Sequence, residues 1–508
     1  MTLSFVSIEE RNLKLSQEQL NYDVVVIGSG AGGSLAALKA CEAGKKVALI
    51  EMGPGAQTKD FVLDEGVAYK NLYQEAAGRT TLGGEVTVLQ GRTLGGGTTV
   101  NWTSSFRTPS LTLKYWREVL GLKEFSEKNL ESSFSWAENL LGVKPWDLTP
   151  NANNDLLAQG LKKMGIEPQV IPRNVRDCQN LGYCGFGCPV GAKQSAFLTT
   201  LPLAQKLGLK IFTDALAKHL IIEKEEVTGL EVVSRETQKK ILFKAKEFVL
   251  AAGAIGSPAL LLRSKAPDPF GLVGKRTFLH PTTISGGHFK EEVAPYYGAP
   301  QSIYSDAFLP KDLNELAAGF KLEVPPVHPL LLATSLPLRG KDHRDKMAGL
   351  PHTQAIIALQ RDGFHKQSQG GQVILKKGRP FLDYQWTPYM EKAFRKSLEV
   401  MGECQFAAGA QEVLPLHRHG KNCKTLAQLK SHVSELSMKA LDLKVVSAHV
   451  MGGCAMGENP EKSVTNLRGK YHHLKNLVVR DGSLFPTSLG TNPMLSIIAL
   501  VHYMESNA

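Results

Sequence analysis

The stretch "NYDVVVIGSGAGGSLAALKACEAGKKVALIEMG" (21–53) constrains this chain more than any other. Val24–Ile27 is an apolar run suited to a strand buried on both faces. A glycine turn follows, then Leu35–Ala43 as a helix, then a second apolar strand, Val47–Ile50, ending at Glu51. Gly28, Gly30 and Gly33 satisfy the G-x-G-x-x-G spacing. In that motif the first glycine makes the turn, the second admits a pyrophosphate to the backbone, and the third packs helix on strand. The pyrophosphate rests on the amino terminus of the helix, where Ser34 is counted with the binding residues. Such a string alone is weak, because glycines also serve ordinary turns. Its context is what matters: Glu51, 23 residues after Gly28, ends the second strand where an acid can hold a ribose hydroxyl and repel a 2′-phosphate.

Two later segments repeat the strand-to-turn pattern. "EFVLAAGAIGSPALLLRS" (247–264) runs from an apolar strand through small residues into a helix, and "NLVVRDGSLFP" (476–486) does so near the carboxyl terminus. Buried strands this far apart predict one α/β domain of Rossmann type assembled from separated segments, 20–105, 195–270 and 444–508. Between 271 and 443, alternating stretches such as "TTISGGHF" and "TQAIIALQRD" predict a second, α+β domain with an antiparallel sheet that closes a substrate site. Residues 106–194 are left as a connecting cap.

Composition excludes several classes. Lys+Arg exceeds Asp+Glu, 59 against 48, but the lysines are spread in pairs such as Lys45–Lys46, with no basic block interleaved with aromatics. A solvated surface is expected, not a nucleic-acid partner. The first residues carry charges throughout and no apolar signal region, and no window is apolar enough to span a membrane. Seven cysteines, an odd number, argue for reduced thiols and a cytoplasmic setting, with export beside a signal-bearing partner left open.

Two further loops, "GRTLGGGTTVNW" (91–102) and "RDGSLFPTSLGTNPMLS" (480–496), look shaped around the same cofactor. Together with the first glycine motif, "FVLAAGAIGSPALLLRS" and "SAHVMGGCAMG", they make the chain resemble the glucose–methanol–choline (GMC) flavoprotein oxidoreductases over nearly its whole length. The resemblance implies FAD, with Gly95, Gly96, Thr98 and Asn101 lining the flavin and Asp481 and Gly482 near its phosphate or ribityl region. Some members attach FAD through a histidine just before the asparagine of the second motif. Val100 stands there, so non-covalent FAD is expected.

Flavin oxidation of an alcohol needs a group to take the hydroxyl proton and a geometry that brings the carbinol hydrogen to N5. Histidine suits the first task, since its ordinary pKa is about 6.5. Among 14 histidines, His449 in "SAHVMGGC" occupies the position of the family's active-site histidine. Asn492 in "GTNPML" matches the second active-site position, where an amide can donate to the substrate oxygen as charge develops. The resemblance thus assigns His449 as base and Asn492 as its partner. Sequence around the pair is nearest the long-chain alcohol oxidase and cholesterol oxidase branches, which implies an apolar alcohol substrate. "VPPVHPLLLATSLPL" (324–338) is either a greasy access loop or core of the second domain. The electron acceptor, O2 or a partner protein, is open, and a flavin-fold lyase is the alternative of another class.

The remaining motif is "DCQNLGYCGFGCPVGAKQSA" (177–196). Cys178, Cys184 and Cys188 have the number and spacing for a [3Fe–4S] cluster, as in family dehydrogenases that pass electrons to a partner subunit. The alternative is a glycine-rich turn of structural thiols beside the flavin.

Overall fold

The structure, a computed structural model, describes residues 3–10, 20–315 and 317–506. Its first sheet grows from the apolar runs. Val24, Val25, Val26 and Ile27 are at most 2% exposed, and Val47–Ile50 at most 1%. Each such side chain contributes about 1.5–3 kcal/mol on burial. Asn21–Ile27 pairs in parallel with Val47–Ile50 on one side and with the second half of Lys240–Leu250 on the other. Lys210–Thr213 and Val6–Ser7 extend the sheet beyond Val47–Ile50, and Leu477–Val479 joins the far side of Lys240–Leu250. The first half of Lys240–Leu250 instead pairs antiparallel with Glu226–Ser234, which continues into Ala215–Glu223.

Register decides where a ligand can bind. Ile27 lies opposite Ile50 and Leu250, and Leu250 opposite Val479. Gly28, Glu51, Ala251 and Arg480 therefore leave the sheet along one carboxyl edge, the place where open α/β sheets hold ligands. Gly28 has φ +103°, and a Cβ on it would stand 2.2 Å from the Ala251 carbonyl oxygen. Helix Ala31–Glu42 begins earlier than Leu35, with Gly30 as its cap. It lies flush on the strand because a Cβ on Gly33 would come within 2.0 Å of the Gly28 carbonyl oxygen.

The second sheet is antiparallel in its centre. Thr282–His288 pairs with Thr353–Gln360, which pairs with Phe320–Glu323. Ile303–Ser305 and Gln169–Val170 continue that side, and Glu412–Pro415 and Val445–Ser447 flank Thr282–His288. Val86–Val88 closes the far edge in parallel. Two of these strands, Val86–Val88 and Val445–Ser447, come from segments expected in the FAD domain, where apolar runs too short to show alternation hid their sheet.

Helix Pro388–Ala408 covers one face of this sheet. Thr283 meets Ser397 at 2.7 Å, Ser285 donates to Gln405 at 2.7 Å, and a Cβ on Gly287 would sit 3.2 Å from the Gln405 amide. The alternate residues Thr282, Ile284, Gly286 and His288 thus face the other way. Lys275–Phe278, Gly371–Lys376, Arg379–Asp383 and Met451–Gly452 form a separate small sheet, its last strand just after His449.

Candidate active site

One cavity of about 680 Å³ runs from the carboxyl edge of the first sheet to the open face of the second. Gly28, Gly30, Glu51, Gly96, Thr98, Asn101, Asp481, Gly482, His449 and Asn492 all line it. Gly33, Ser34 and Gly95 do not. Gly33 acts by letting the helix close on the strand. Ser34 points into the protein, its hydroxyl 3.5 Å from the Ala31 carbonyl, which corrects its assignment as a cavity residue. Gly95 turns the loop and donates its N–H to the Ser29 hydroxyl at 2.9 Å, tying the second glycine loop to the first.

The cradle fits a dinucleotide. A Cβ built on Gly30, Gly97 or Gly253 would meet no protein atom within 4 Å, so three backbone approaches stand open to the same space. Glu51 accepts from the Ser29 amide at 3.1 Å, the Ser29 hydroxyl at 2.5 Å and the Gly53 amide at 2.7 Å. A carboxylate offers about four acceptor directions, so one remains for a ribose hydroxyl. Burial pushes the Glu51 carboxyl up, against the pull of those donors. Asp481, expected near the phosphate or ribityl region, lines the cavity with its carboxylate already engaged within the protein. Its carboxylate accepts from Gly253 N–H at 2.8 Å, Ser257 hydroxyl at 2.5 Å and Ser483 N–H at 2.8 Å, and so pins the third glycine turn at the cavity wall.

Sequence reasoning missed Lys193. Its ammonium is 2% exposed as a residue and donates to the carbonyls of Thr99, Asn101 (3.0 Å) and Cys184 (2.6 Å). Burial holds it down to about 8. It fastens the cysteine loop to the backbone of the flavin loop. Tyr73 adds a second tie, donating to the Gly185 carbonyl at 2.7 Å. Among the described residues no group of three His, Cys, Asp or Glu side chains is placed to hold a metal ion, so Cys178, Cys184 and Cys188 are not gathered as cluster ligands. The cluster expectation finds no support there, and the loop is instead tied through its backbone at Cys184 and Gly185.

At the middle of the cavity, His449 Nε2 stands 3.4 Å from Asn492 Nδ2. The other His449 nitrogen, Nδ1, is 3.3 Å from Nδ1 of His280, a fully buried ring. Burial holds the His449 ring down to about 4, and the charge of Lys321 adds to this. Behind Asn492 lies a buried pair. The Asn492 amide donates to Glu323 at 3.3 Å, and Gln301 donates to the same oxygen at 2.5 Å. Lys321 sits two residues away with its ammonium against the rings of Phe106 and Tyr304. Burial pushes Glu323 up and Lys321 down, and each partner's charge opposes the other's shift. In sequence, only the two charges in the strand "FKLE" marked this site.

Beyond His449 the cavity becomes an apolar arm. Thr282, Ile284, Gly286 and His288 line it from one strand, and Leu359, Ile357, Ala355 and Thr353 lie directly opposite them in the neighbouring strand. Leu414 and Leu416 extend the wall. Helix Pro329–Ser335 covers it with Leu331 and Leu332, so the greasy stretch 324–338 is cavity wall. Six residues of strand at about 3.4 Å each give the arm a length of ~20 Å.

Sequence comparisons agree with this layout. The GMC oxidoreductase amino-terminal and carboxyl-terminal family patterns match residues 69–282 and 367–500, and an FAD binding domain matches residues 23–61. The chain belongs to the GMC oxidoreductase family. It is an FAD-dependent oxidoreductase of the kind that acts on CH–OH groups. Two long-chain-alcohol oxidases of Arabidopsis thaliana are 29% and 28% identical to it over 96% of this chain, with 68% and 67% of their own length covered. A cholesterol oxidase of Acinetobacter baumannii is 22% identical over 94% of this chain and 93% of its own. Among solved structures, pyridoxine 4-oxidase from Mesorbium loti shares the fold with a TM-score of 0.70 at 18% identity, covering 96% of this chain and 98% of its own. No helix among the described residues is long and apolar enough to cross a membrane.

Proposed function

We propose that this GMC oxidoreductase oxidises an apolar, long-chain alcohol to the aldehyde, with His449 and Asn492 at the reacting carbon and FAD held without a covalent bond. The observation that carries this reading is one continuous cavity. It runs from the three open glycine approaches, past His449 and Asn492, into a ~20 Å apolar arm. Bound FAD supplies the acceptor for the carbinol hydrogen and its electron pair. The chain's own residues do the rest.

Backbone at Gly28, Gly30 and Gly253 supports the dinucleotide, and the Gly96–Asn101 loop supports the flavin. Val100 offers no nucleophile for attachment. The arm takes the alkyl chain out of water, which stabilises binding by about 0.8 kcal/mol per buried methylene. His449 and the Asn492 amide are the two hydrogen-bonding groups that meet the alcohol oxygen. Removing one such donor costs about two to three orders of magnitude in rate. The long-chain-alcohol oxidases among the relatives point to the same substrate class.

The test is anaerobic mixing of FAD-loaded protein with hexadecanol, hexanol and cholesterol, following the flavin absorbance. Bleaching by hexadecanol with release of hexadecanal supports the proposal. A flavin that stays oxidised with all three alcohols refutes it.

A further inference from the structure

His280 is bound on every side, and its bonds fix where its proton lies. The residue is fully buried with φ +50°, and Asp362 holds its backbone by accepting from the N–H groups of Leu279 (3.0 Å) and His280 (3.2 Å). Tyr384 donates to the same carboxylate at 2.9 Å. The Gly490 amide donates to His280 Nε2 at 2.8 Å. A backbone N–H is a donor only, so Nε2 is the bare nitrogen and the single proton of neutral His280 sits on Nδ1. That nitrogen faces His449 Nδ1 at 3.3 Å. His449 therefore accepts there, and a neutral ring that accepts on Nδ1 carries its own proton on Nε2.

We propose that His280 is a positioning residue that fixes the His449 proton on Nε2, so that His449 meets the alcohol oxygen as a hydrogen-bond donor. The inference rests on the reading of His449 as the group at the reacting carbon. It replaces the base expected from sequence. A bare Nε2 on His449 would require a proton on His280 Nε2, directly against the Gly490 N–H.

Asn492 completes the arrangement. Its amide nitrogen donates to the Glu323 carboxylate, an acceptor, and this fixes the same nitrogen toward His449 Nε2 at 3.4 Å. Two N–H groups facing each other form no bond between themselves. Both are available to a third atom in the cavity, and an alcohol oxygen between them is held more tightly as its negative charge grows. Bound FAD would accept the carbinol hydrogen with its electron pair, a two-electron reduction. The hydroxyl proton passes to solvent in step with that loss as the carbon–oxygen double bond forms, with both donors holding the oxygen.

Neutron diffraction from FAD-loaded crystals reads the proton positions directly. Deuterons on His280 Nδ1 and His449 Nε2 are expected, and a deuteron on His449 Nδ1 or His280 Nε2 overturns the proposal. This readout stands even if no alcohol is oxidised, an outcome that would sink the proposed function instead. Kinetics give a second arm. His280→Phe keeps a ring but loses both nitrogens, while His280→Gln keeps one donor and one acceptor. A group that sets a histidine tautomer is worth up to ~10⁴ in kcat. With FAD retained, His280→Phe should lower kcat at least tenfold with little change in KM, and His280→Gln should recover much of it. A kcat for His280→Gln no higher than that for His280→Phe means that the hydrogen bonds of His280 do not matter and refutes the assignment. Should His280→Phe fail to fold, the neutron map decides alone.

Discussion

Gly286 offers a direct test of the apolar arm. It lies on the cavity face of Thr282–His288, opposite Ala355, and a Cβ on it would have no neighbour closer than 3.9 Å. A leucine there enters open space without disturbing the protein. From Thr282 to Gly286 is four residues, so the new side chain blocks the arm ~14 Å along its ~20 Å length. The lost stretch, about 7 Å, holds roughly five methylenes at about 1.5 Å per bond. At about 0.8 kcal/mol each, the upper bound on lost binding is ~4 kcal/mol, or about 10³ in kcat/KM. Partial solvent access and a bent chain both reduce that figure. Gly286→Leu should lower kcat/KM for hexadecanol between tenfold and a thousandfold and leave hexanol within about twofold. The assay is anaerobic stopped-flow flavin reduction across a series of straight-chain alcohols. An equal loss for short and long alcohols would show that the alkyl chain does not lie along this strand.

Three further outcomes follow from the same geometry. Gly30→Val and Gly33→Val separate cofactor contact from packing. The first should give folded protein binding FAD at least ~100-fold more weakly, equivalent to about 2.7 kcal/mol, while the second forces a methyl within 2.0 Å of the Gly28 carbonyl and should yield little soluble protein. Flavin fluorescence and circular dichroism distinguish the two. Lys193→Met strips the ammonium from three carbonyls and should cost roughly 3 kcal/mol, seen as a lower melting temperature of the FAD-loaded protein; an unchanged melting temperature removes the tie assigned to it. With the His449 ring held near 4 against 6.5 in the unfolded chain, the unfolded chain takes up the proton first as pH falls. Its contribution to stability is complete above pH 6.5 and is lost toward pH 4, and kcat/KM should show no His449 titration near 6.5; an inflection there that vanishes in His449→Gln would contradict the buried, neutral ring.

What sequence revealed and what it hid divide along a physical line. The strand Val24–Ile27, the turn at Gly28 and the acid at Glu51 were legible because each is dictated by neighbours within one supersecondary unit. The alternation in "TTISGGHF" likewise announced two faces of one strand before either had a partner. Ser34 and the three cysteines misled for the complementary reason. Their residue types suit a binding role, but which way a side chain points depends on packing from distant segments. Ser34 turns toward its own helix, and the cysteine loop is organised by Lys193 reaching carbonyls 92 and 94 positions away.

His280 is the clearest case. In "FLHPTT" it is one histidine among 14, with no spacing that sets it apart. Its meaning comes from a donor 210 positions later, Gly490, and a ring 169 positions later, His449. The same fold places Gly490 two residues before Asn492, so one short loop supplies both the amide that sets His280 and the amide that faces the cavity. A residue that shifts this loop alters two donors together. Asn492→Ala removes one and leaves the Gly490 bond in place, whereas an ester in place of the Leu489–Gly490 amide deletes the N–H that holds His280 while keeping glycine at φ +79°, and frees the His449 proton to move. If the chain of bonds from Gly490 through His280 to His449 is what prepares the site, an FAD-loaded protein carrying that ester should lose kcat as His280→Phe does. Combining the two substitutions should then cost no more than the worse of them, while fully multiplicative losses would mean that the loop and the ring act separately.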